Sequence, residues 1–243
     1  MTALRDYGRL TRWEWESILP QLVVIGPIQF LFPVLLAIGL GFLVPGLDAE
    51  SARYLSTGAP TIALLMLGLV VLPNTMSQRE QTGQDEFYRT LPIAPTVVLA
   101  ASLTPPVLVA LPGSLLALVV AAWHFHFSLD PSVLALVALG FVSLTGAAIG
   151  NAIASVSPGP QVTNLLTNVI VFFIFLFSPI NFPIDRLPDW LQSLHVFLPI
   201  EPMAELVRSS LTGEATRLGD WVFVGAWAIG SFALSAALAV RRD

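Results

Sequence analysis

The stretch SQREQTGQDEFYRTLPIAP, from Ser77 to Pro95, is a compact charged segment set between two long apolar runs. Its five charged residues are Arg79, Glu80, Asp85, Glu86 and Arg89. The runs 54–78 and 90–129, which overlap its two ends, contain no Asp, Glu, Lys or Arg. A bilayer span needs about 20 consecutive apolar residues. The segment is therefore predicted to connect two membrane-spanning helices.

The same pattern extends over the whole chain of 243 residues, of which 55% are apolar and only 11% charged. A soluble domain carries about a quarter charged residues. Further charge-free runs cover 17–47, 131–184 and 221–240. The sequence SPGPQ at 157–161 divides the longest run, because two prolines flanking a glycine interrupt a helix. We therefore expect an all-α integral membrane protein, a single transmembrane domain over 1–243, with six spans near 22–44, 55–76, 97–123, 131–156, 161–178 and 221–240.

The distribution of arginine predicts the orientation. An even number of spans places both termini on one side of the membrane. Seven arginines lie on that side and four on the other: Arg5, Arg9, Arg12, Arg79, Arg89, Arg241 and Arg242 against Arg53, Arg186, Arg208 and Arg217. Basic residues concentrate on the cytoplasmic side. Both termini and the segment 77–95 are thus expected in the cytoplasm, with the protein in the plasma membrane.

The N-terminal stretch 1–20 has the pattern of an amphipathic helix. One helical stripe carries four of its charged residues, at i, i+4, i+7 and i+11: Arg5, Arg9, Arg12 and Glu16. Tyr7, Trp13 and Trp15 suit the headgroup layer. We expect a helix in the inner interface and a turn at Pro20 into the first span. The alternative is a simple basic topology anchor.

No Asp, Glu, Lys or Arg lies within any predicted span. Ionisable residues in a membrane typically mark proton or ion coupling, so their absence disfavours a proton-driven antiporter. The fifth span instead presents a neutral face at helical spacing, formed by Asn164, Asn168, Phe172 and Phe175. Such a face either forms interhelical hydrogen bonds or faces a partner subunit or substrate path. The sequence is compatible with both hypotheses.

Two other patterns favour packing over chemistry. Gly146 and Gly150 have the small-xxx-small spacing at which helix backbones approach closely. The sequence WHFHF, at 123–127, places its two histidines at i and i+2, which do not share a helical face. We interpret it as an interfacial aromatic belt and expect no metal site.

The segment 179–220 is the longest stretch outside the predicted spans, on the outer side. Leu187, Trp190, Leu191 and Leu194 recur at helical spacing, and Gly213 is expected to end a second short helix. We expect two short helices that lie on, or dip into, the outer leaflet. They form either a gate above the spans or a packed cap without a gating role.

Two local patterns resemble the permease subunits of the ABC type-2 exporter family. The first follows the second span and contains Arg79, Glu80, Gly83, Glu86, Leu91 and Pro92. The second precedes the last span and contains Pro179, Pro183, Leu187, Pro188, Leu191, Pro199 and Arg208. With the six spans, the resemblance covers essentially the whole chain. One departure is Gln84–Asp85, where the family usually has Thr-Leu after the glycine.

The resemblance implies a role for each region. The segment 77–95 would be a coupling helix that docks on an ATP-binding subunit, with Arg79, Glu80, Gly83, Glu86 and Arg89 at the contact. The translocation path would involve Asn164, Asn168, Phe172 and Phe175. The outer gate would involve Pro183, Leu187, Pro188, Trp190, Leu191, Pro199 and Arg208. The partners would be that ATPase, a second permease copy or paralogue, and the lipid bilayer, with no nucleic acid.

If transport is driven by ATP, another chain must bind the nucleotide. A P-loop requires a lysine that binds the nucleotide phosphates, and all eleven basic residues here are arginine. We therefore expect no cofactor in this chain and ATP with Mg²⁺ on the partner. The predicted function is the permease subunit of an ATP-driven exporter of amphipathic, drug-like or lipid-like molecules, not an enzyme by itself. The alternatives are a non-transporting membrane scaffold or immunity protein and, third, a secondary transporter.

Overall fold

The computed structural model describes residues 2–43, 49–126, 128–180 and 183–241. Within the helices some side chains, including those of Glu80 and Arg89, lie outside this description. All regular elements in the described ranges are helical. They are α1 (Thr2–Leu43), α2 (Ala49–Met66), a π-helical turn (Leu67–Val71), α3 (Leu72–Gln81), α4 (Gln84–Thr90), α5 (Pro95–Phe125), α6 (Val133–Val156), α7 (Pro160–Phe177), a 3-10 turn (Ile184–Arg186), α8 (Asp189–His195), α9 (Ile200–Thr212) and α10 (Leu218–Arg241).

Five described segments are long and apolar enough to cross a membrane: Arg53–Met76, Thr96–Phe125, Val133–Val156, Pro160–Phe177 and Leu218–Ser235. They match five of the six predicted spans to within a few residues. The remaining predicted span, 22–44, falls in the second half of α1 and ends at residue 44, which lies outside the described residues. The six-span count therefore stays a prediction.

The expected turn at Pro20 is wrong, because α1 continues through that residue without interruption. A proline removes one backbone donor, but a membrane helix tolerates this loss when its surroundings satisfy the freed carbonyl. The 42 residues of α1 extend about 63 Å at 1.5 Å per residue, about twice the hydrocarbon thickness of a bilayer. At the tilts of about 0–40° that membrane helices adopt, part of this helix reaches beyond the apolar layer.

The second span is one continuous helix with a π-helical turn in its middle. Leu72 donates its backbone N–H to the carbonyl of Leu67, five residues earlier. Pro73 follows directly and has no N–H to donate. The side-chain amide of Asn74 donates to the carbonyl of Val70 at 2.8 Å. The local sequence Leu72–Pro73–Asn74 thus accounts for the wider turn, which periodicity alone did not predict.

Glycines bring the second span and α6 into backbone contact at this turn. A Cβ placed on Gly68 would lie 2.3 Å from the carbonyl carbon of Gly146, and one on Gly150 only 1.8 Å from the carbonyl oxygen of Gly68. The prediction that Gly146 and Gly150 mediate close helix packing is confirmed. Its partner, Gly68, was not identified from sequence.

The segment 179–220 contains the two short helices expected there, but α9 lies deeper than predicted. Nine of its residues are buried, and it packs against α2, α6 and α10. Met203, Leu206 and Val207 belong to the main apolar core. Gly213 ends α9 in a left-handed conformation, as predicted. In α8, Leu191 is buried while Trp190 and Leu194 are exposed, so only part of the predicted apolar stripe enters the core.

Candidate functional site

The segment 77–95 contains the end of α3, a turn at Gly83 and all of α4; we call α3, this turn and α4 together the hairpin. α3 ends at Gln81, and Gly83 has a φ of 72°, a left-handed conformation that glycine adopts without strain. α4 then begins at Gln84, and Phe87 donates its N–H to the carbonyl of Gly83 at 3.2 Å. The helix predicted for this segment therefore corresponds to α4 and is only seven residues long. Pro95 is the first residue of α5.

A buried ion pair lies beside the turn of this hairpin. Arg79, at the end of α3, donates from Nη2 to the Oε2 of Glu14, on α1. The Nη1 of Arg79 donates to the Oγ of Ser102, on α5, at 2.8 Å. Glu14 is 2% exposed and Arg79 is 8% exposed. Two opposite charges with additional hydrogen-bond partners satisfy the requirement for burying ionised groups.

The other oxygen of Glu14 binds two hydroxyl groups. Tyr88, on α4, donates to Oε1 at 2.7 Å, and Ser102 donates to the same oxygen at 2.9 Å. Gln84 in turn donates to the Tyr88 hydroxyl at 3.0 Å. Burial, together with the hydrogen bond to Glu14 and its charge, raises the pKa of Tyr88 to about 12. The phenol thus stays a donor at physiological pH. We name Glu14, Arg79, Tyr88 and Ser102 the clasp.

Apolar side chains cover the clasp. Leu10 and Ala101 pack against Tyr88 in a small core shared by α1, α4 and α5. Trp13 contacts Tyr88 and Phe87 edge-on, with ring centroids 5.9 and 5.5 Å apart. This arrangement shields the hydrogen bonds of the clasp from water, and shielded hydrogen bonds are stronger than the same bonds at the protein surface.

The predicted ATPase contacts occupy different environments. Arg79 lies inside the chain, with its guanidinium bound to Glu14 and Ser102. Glu86 is exposed on α4, and Gly83 forms the turn before it. Glu80 and Arg89 lie in α3 and α4, but their side chains are outside the described part. Contact with an ATPase stays a prediction for all five residues, and for Arg79 the internal ion pair suggests a positioning role.

The predicted path residues lie on one side of α7. Asn164, Asn168 and Phe172 are exposed, and Phe175 is partly exposed. Asn168 donates to the carbonyl of Asn164 on its own helix at 2.8 Å. Thr163 and Thr167 are buried on a neighbouring side, and their hydroxyls also donate to nearby backbone carbonyls. The two polar faces therefore differ in exposure: the threonine face is buried, and the asparagine face is accessible to lipid or to another subunit.

Of the residues predicted for an outer gate, Arg208 contacts the start of the second span. Arg208 on α9 is 9% exposed. It donates to Glu205 at 2.8 Å and to the carbonyl of Ile180 at 3.2 Å, and lies 3.6 Å from the ring centroid of Tyr54. Tyr54 donates to the carbonyl of Pro179 at 3.1 Å. Of the other predicted gate residues, Leu187, Leu191 and Pro199 are buried, Pro183 is partly buried, and Pro188 and Trp190 are exposed. A gating role stays a prediction.

Glu14, Tyr88 and Ser102 were not predicted as site residues from the sequence. A signal was present for the first of them, because Tyr7, Leu10 and Glu14 occur at i, i+3 and i+7. An acidic residue in the apolar stripe of a helix requires a buried partner. The charged stripe that predicted the amphipathic helix lies on the opposite face of α1, and all four of its residues are exposed: Arg5, Arg9, Arg12 and Glu16.

Comparison with known proteins agrees with this architecture. A search among curated proteins found no match. The family model described as ABC-2 type transporter matches residues 6–212, well over half of the chain. This range includes the clasp, the hairpin, α7 and α9. Members of the family are the membrane subunits of transport complexes that work with an ATP-binding subunit. The chain belongs to the ABC-2 type transporter family and is a permease subunit of an ABC transporter.

Proposed function

We propose that this chain is the membrane subunit of an ATP-driven exporter that moves amphipathic small molecules out of the cytoplasm. The observation that carries the proposal is the hairpin of α3 and α4, which a buried ion pair holds against α1 and α5. These 243 residues contain no lysine and hence no P-loop. ATP binding and hydrolysis therefore take place on a partner chain. The hairpin is the element that transmits the movement of that partner to the membrane helices.

The hairpin is suited to this role because it is rigidly connected. α3 is continuous with the second span through the π-helical turn, and only the four residues 91–94 separate the end of α4 from the start of α5 at Pro95. A push on α4 is thus carried to two membrane helices at once. Rigid-body movement of packed helices is a common form of conformational switching.

The substrate class follows from the exposed face of α7. Asn164 and Asn168 provide neutral hydrogen-bonding groups, and Phe172, 67% exposed, provides an aromatic surface. The face carries no charge. A second copy or a paralogue facing this surface would complete a path for molecules with neutral polar and apolar parts.

Charge reversal on α4 tests the ATPase contact. Glu86→Arg is expected to weaken association with the ATPase about tenfold or more, since an interfacial charge of the wrong sign is repelled by the partner surface. The tagged chain is purified from its native membranes, and the associated ATPase is detected by labelling with 8-azido-ATP. Asp185→Arg, at an exposed acidic residue outside the hairpin, is the control. Equal recovery of the ATPase with both variants would contradict the assignment.

Cross-linking tests the face of α7. The natural chain has no cysteine, so Asn168→Cys introduces a single reactive thiol. A short bismaleimide is expected to yield a cross-linked pair of copies, because the face meets its equivalent across the path. Leu136→Cys, at a position of α6 that is also exposed, is expected to give little product. Similar yields from the two positions would show that the α7 face contacts lipid.

A further inference from the structure

We propose that Glu14 is a positioning residue for energy coupling, which makes α1 part of the moving unit together with the hairpin and α5. This inference rests on the proposed function and goes beyond it, because the docking hairpin alone does not require the N-terminal helix. Glu14 is the residue of α1 to which α3, α4 and α5 all donate hydrogen bonds.

One carboxylate receives hydrogen bonds from three different helices. Arg79 belongs to α3, Tyr88 to α4 and Ser102 to α5, and all three donate to Glu14. Arg79 also donates to Ser102. Both arms of the hairpin and the following span are therefore attached to the same side chain of α1. Displacing any of these helices alone would leave buried polar groups without partners, which is costly.

The contrast with the neighbouring pair shows that the clasp is more than a surface ion pair. Arg12 and Glu16 bind at 3.0 Å on α1 with side chains 83% and 57% exposed. Such a pair contributes little to stability, and water replaces it readily. Glu14 lies on the opposite face, where the buried side chains leave no room for this exchange.

The packing around the clasp supports movement as one body. Tyr7 of α1 forms a hydrogen bond with Thr104 of α5 at 2.8 Å between their hydroxyl oxygens. The pair of α1 and α5 has the most extensive contact of any two described helices. A force applied at α4 thus reaches α1 through Glu14 and is spread along its length through α5.

The experiment measures whether α1 follows the hairpin during the ATP cycle. Spin labels are placed at Arg9→Cys on α1 and Gln81→Cys at the end of α3, both exposed positions in a chain without native cysteine. Distances are measured by double electron–electron resonance in the complete complex in nanodiscs, without nucleotide and after trapping with Mg-ATP and vanadate. With Glu14 intact, the distance distribution is expected to be the same in both states.

Glu14→Gln is expected to keep the nucleotide-free distribution but to shift it by about 2 Å or more on trapping, because the neutral amide releases Arg79. A purely structural role would alter both states equally. Glu16→Gln, at the exposed pair, is the matched control and is expected to behave as wild type. An unchanged distribution in the trapped Glu14→Gln complex overturns the inference.

Tyr88→Phe provides a second, milder variant. It removes the hydrogen bond to Glu14 and keeps the ring that packs on Trp13. On trapping, we expect the distance distribution of Tyr88→Phe to shift in the same way as that of Glu14→Gln, but by less. If the Glu14→Gln complex does not assemble, an unchanged distribution in Tyr88→Phe overturns the inference. Absence of any ATPase from the wild-type preparation is a different result, which overturns the proposed function itself.

Discussion

Arg79→Ala is expected to destabilise the folded chain by about 3–5 kcal/mol, the typical cost of leaving one partner of a buried ion pair uncompensated. Glu14 would keep its hydrogen bonds to Tyr88 and Ser102 but lose the opposite charge. With 2% of its surface exposed, it cannot recover that loss from water. The measurement is thermal or denaturant unfolding of the purified chain in detergent, followed by tryptophan fluorescence.

Two further variants assign the cause of this loss. Arg12→Ala makes the same substitution in an exposed ion pair. It is expected to change the free energy of unfolding by about 1 kcal/mol or less. The double variant Glu14→Gln with Arg79→Met removes both charges and is expected to recover much of the loss, since an uncharged pair needs no electrostatic partner. A loss of similar size in Arg12→Ala and Arg79→Ala would contradict the role of burial.

Gly150→Ala is expected to separate the second span from α6, although it adds only one methyl group. That methyl would lie 1.8 Å from the carbonyl oxygen of Gly68 and 3.0 Å from the ring of Pro73. Backbone atoms cannot move aside as a side chain does, so the helices must shift. We expect the free energy of unfolding to fall by about 3 kcal/mol or more, which is the upper end of the cost of overpacking a core. The same unfolding assay measures this change.

Gly140→Ala is the matched control on the same helix. Nothing lies within 4 Å of a Cβ at that position. Because alanine has the higher helix propensity, this substitution is expected to stabilise the chain slightly, by about 0.5–1 kcal/mol. If both alanine substitutions have the same effect, close contact between Gly150 and Gly68 does not hold the helices together.

Local patterns predicted most of the helices correctly. Charge-free runs located five spans, SPGPQ marked the link between α6 and α7, and Gly213 marked the end of α9. These features follow from the bilayer thickness and from backbone preferences that each residue carries by itself. The prediction failed at Pro20, where the surroundings of α1 override the preference of a single proline.

The sequence by itself determined that this chain is helical, apolar enough to cross a membrane, and without a P-loop lysine in its 243 residues, because composition and residue spacing set these properties. The tertiary structure alone decided that Glu14 and Arg79 form the buried clasp, that α9 enters the core, and that Gly68 meets Gly146 and Gly150. The bonds of the clasp join Glu14 to residues 65, 74 and 88 positions further along the chain. No local pattern specifies which distant helix a buried carboxylate will face, since that depends on how all the helices pack together.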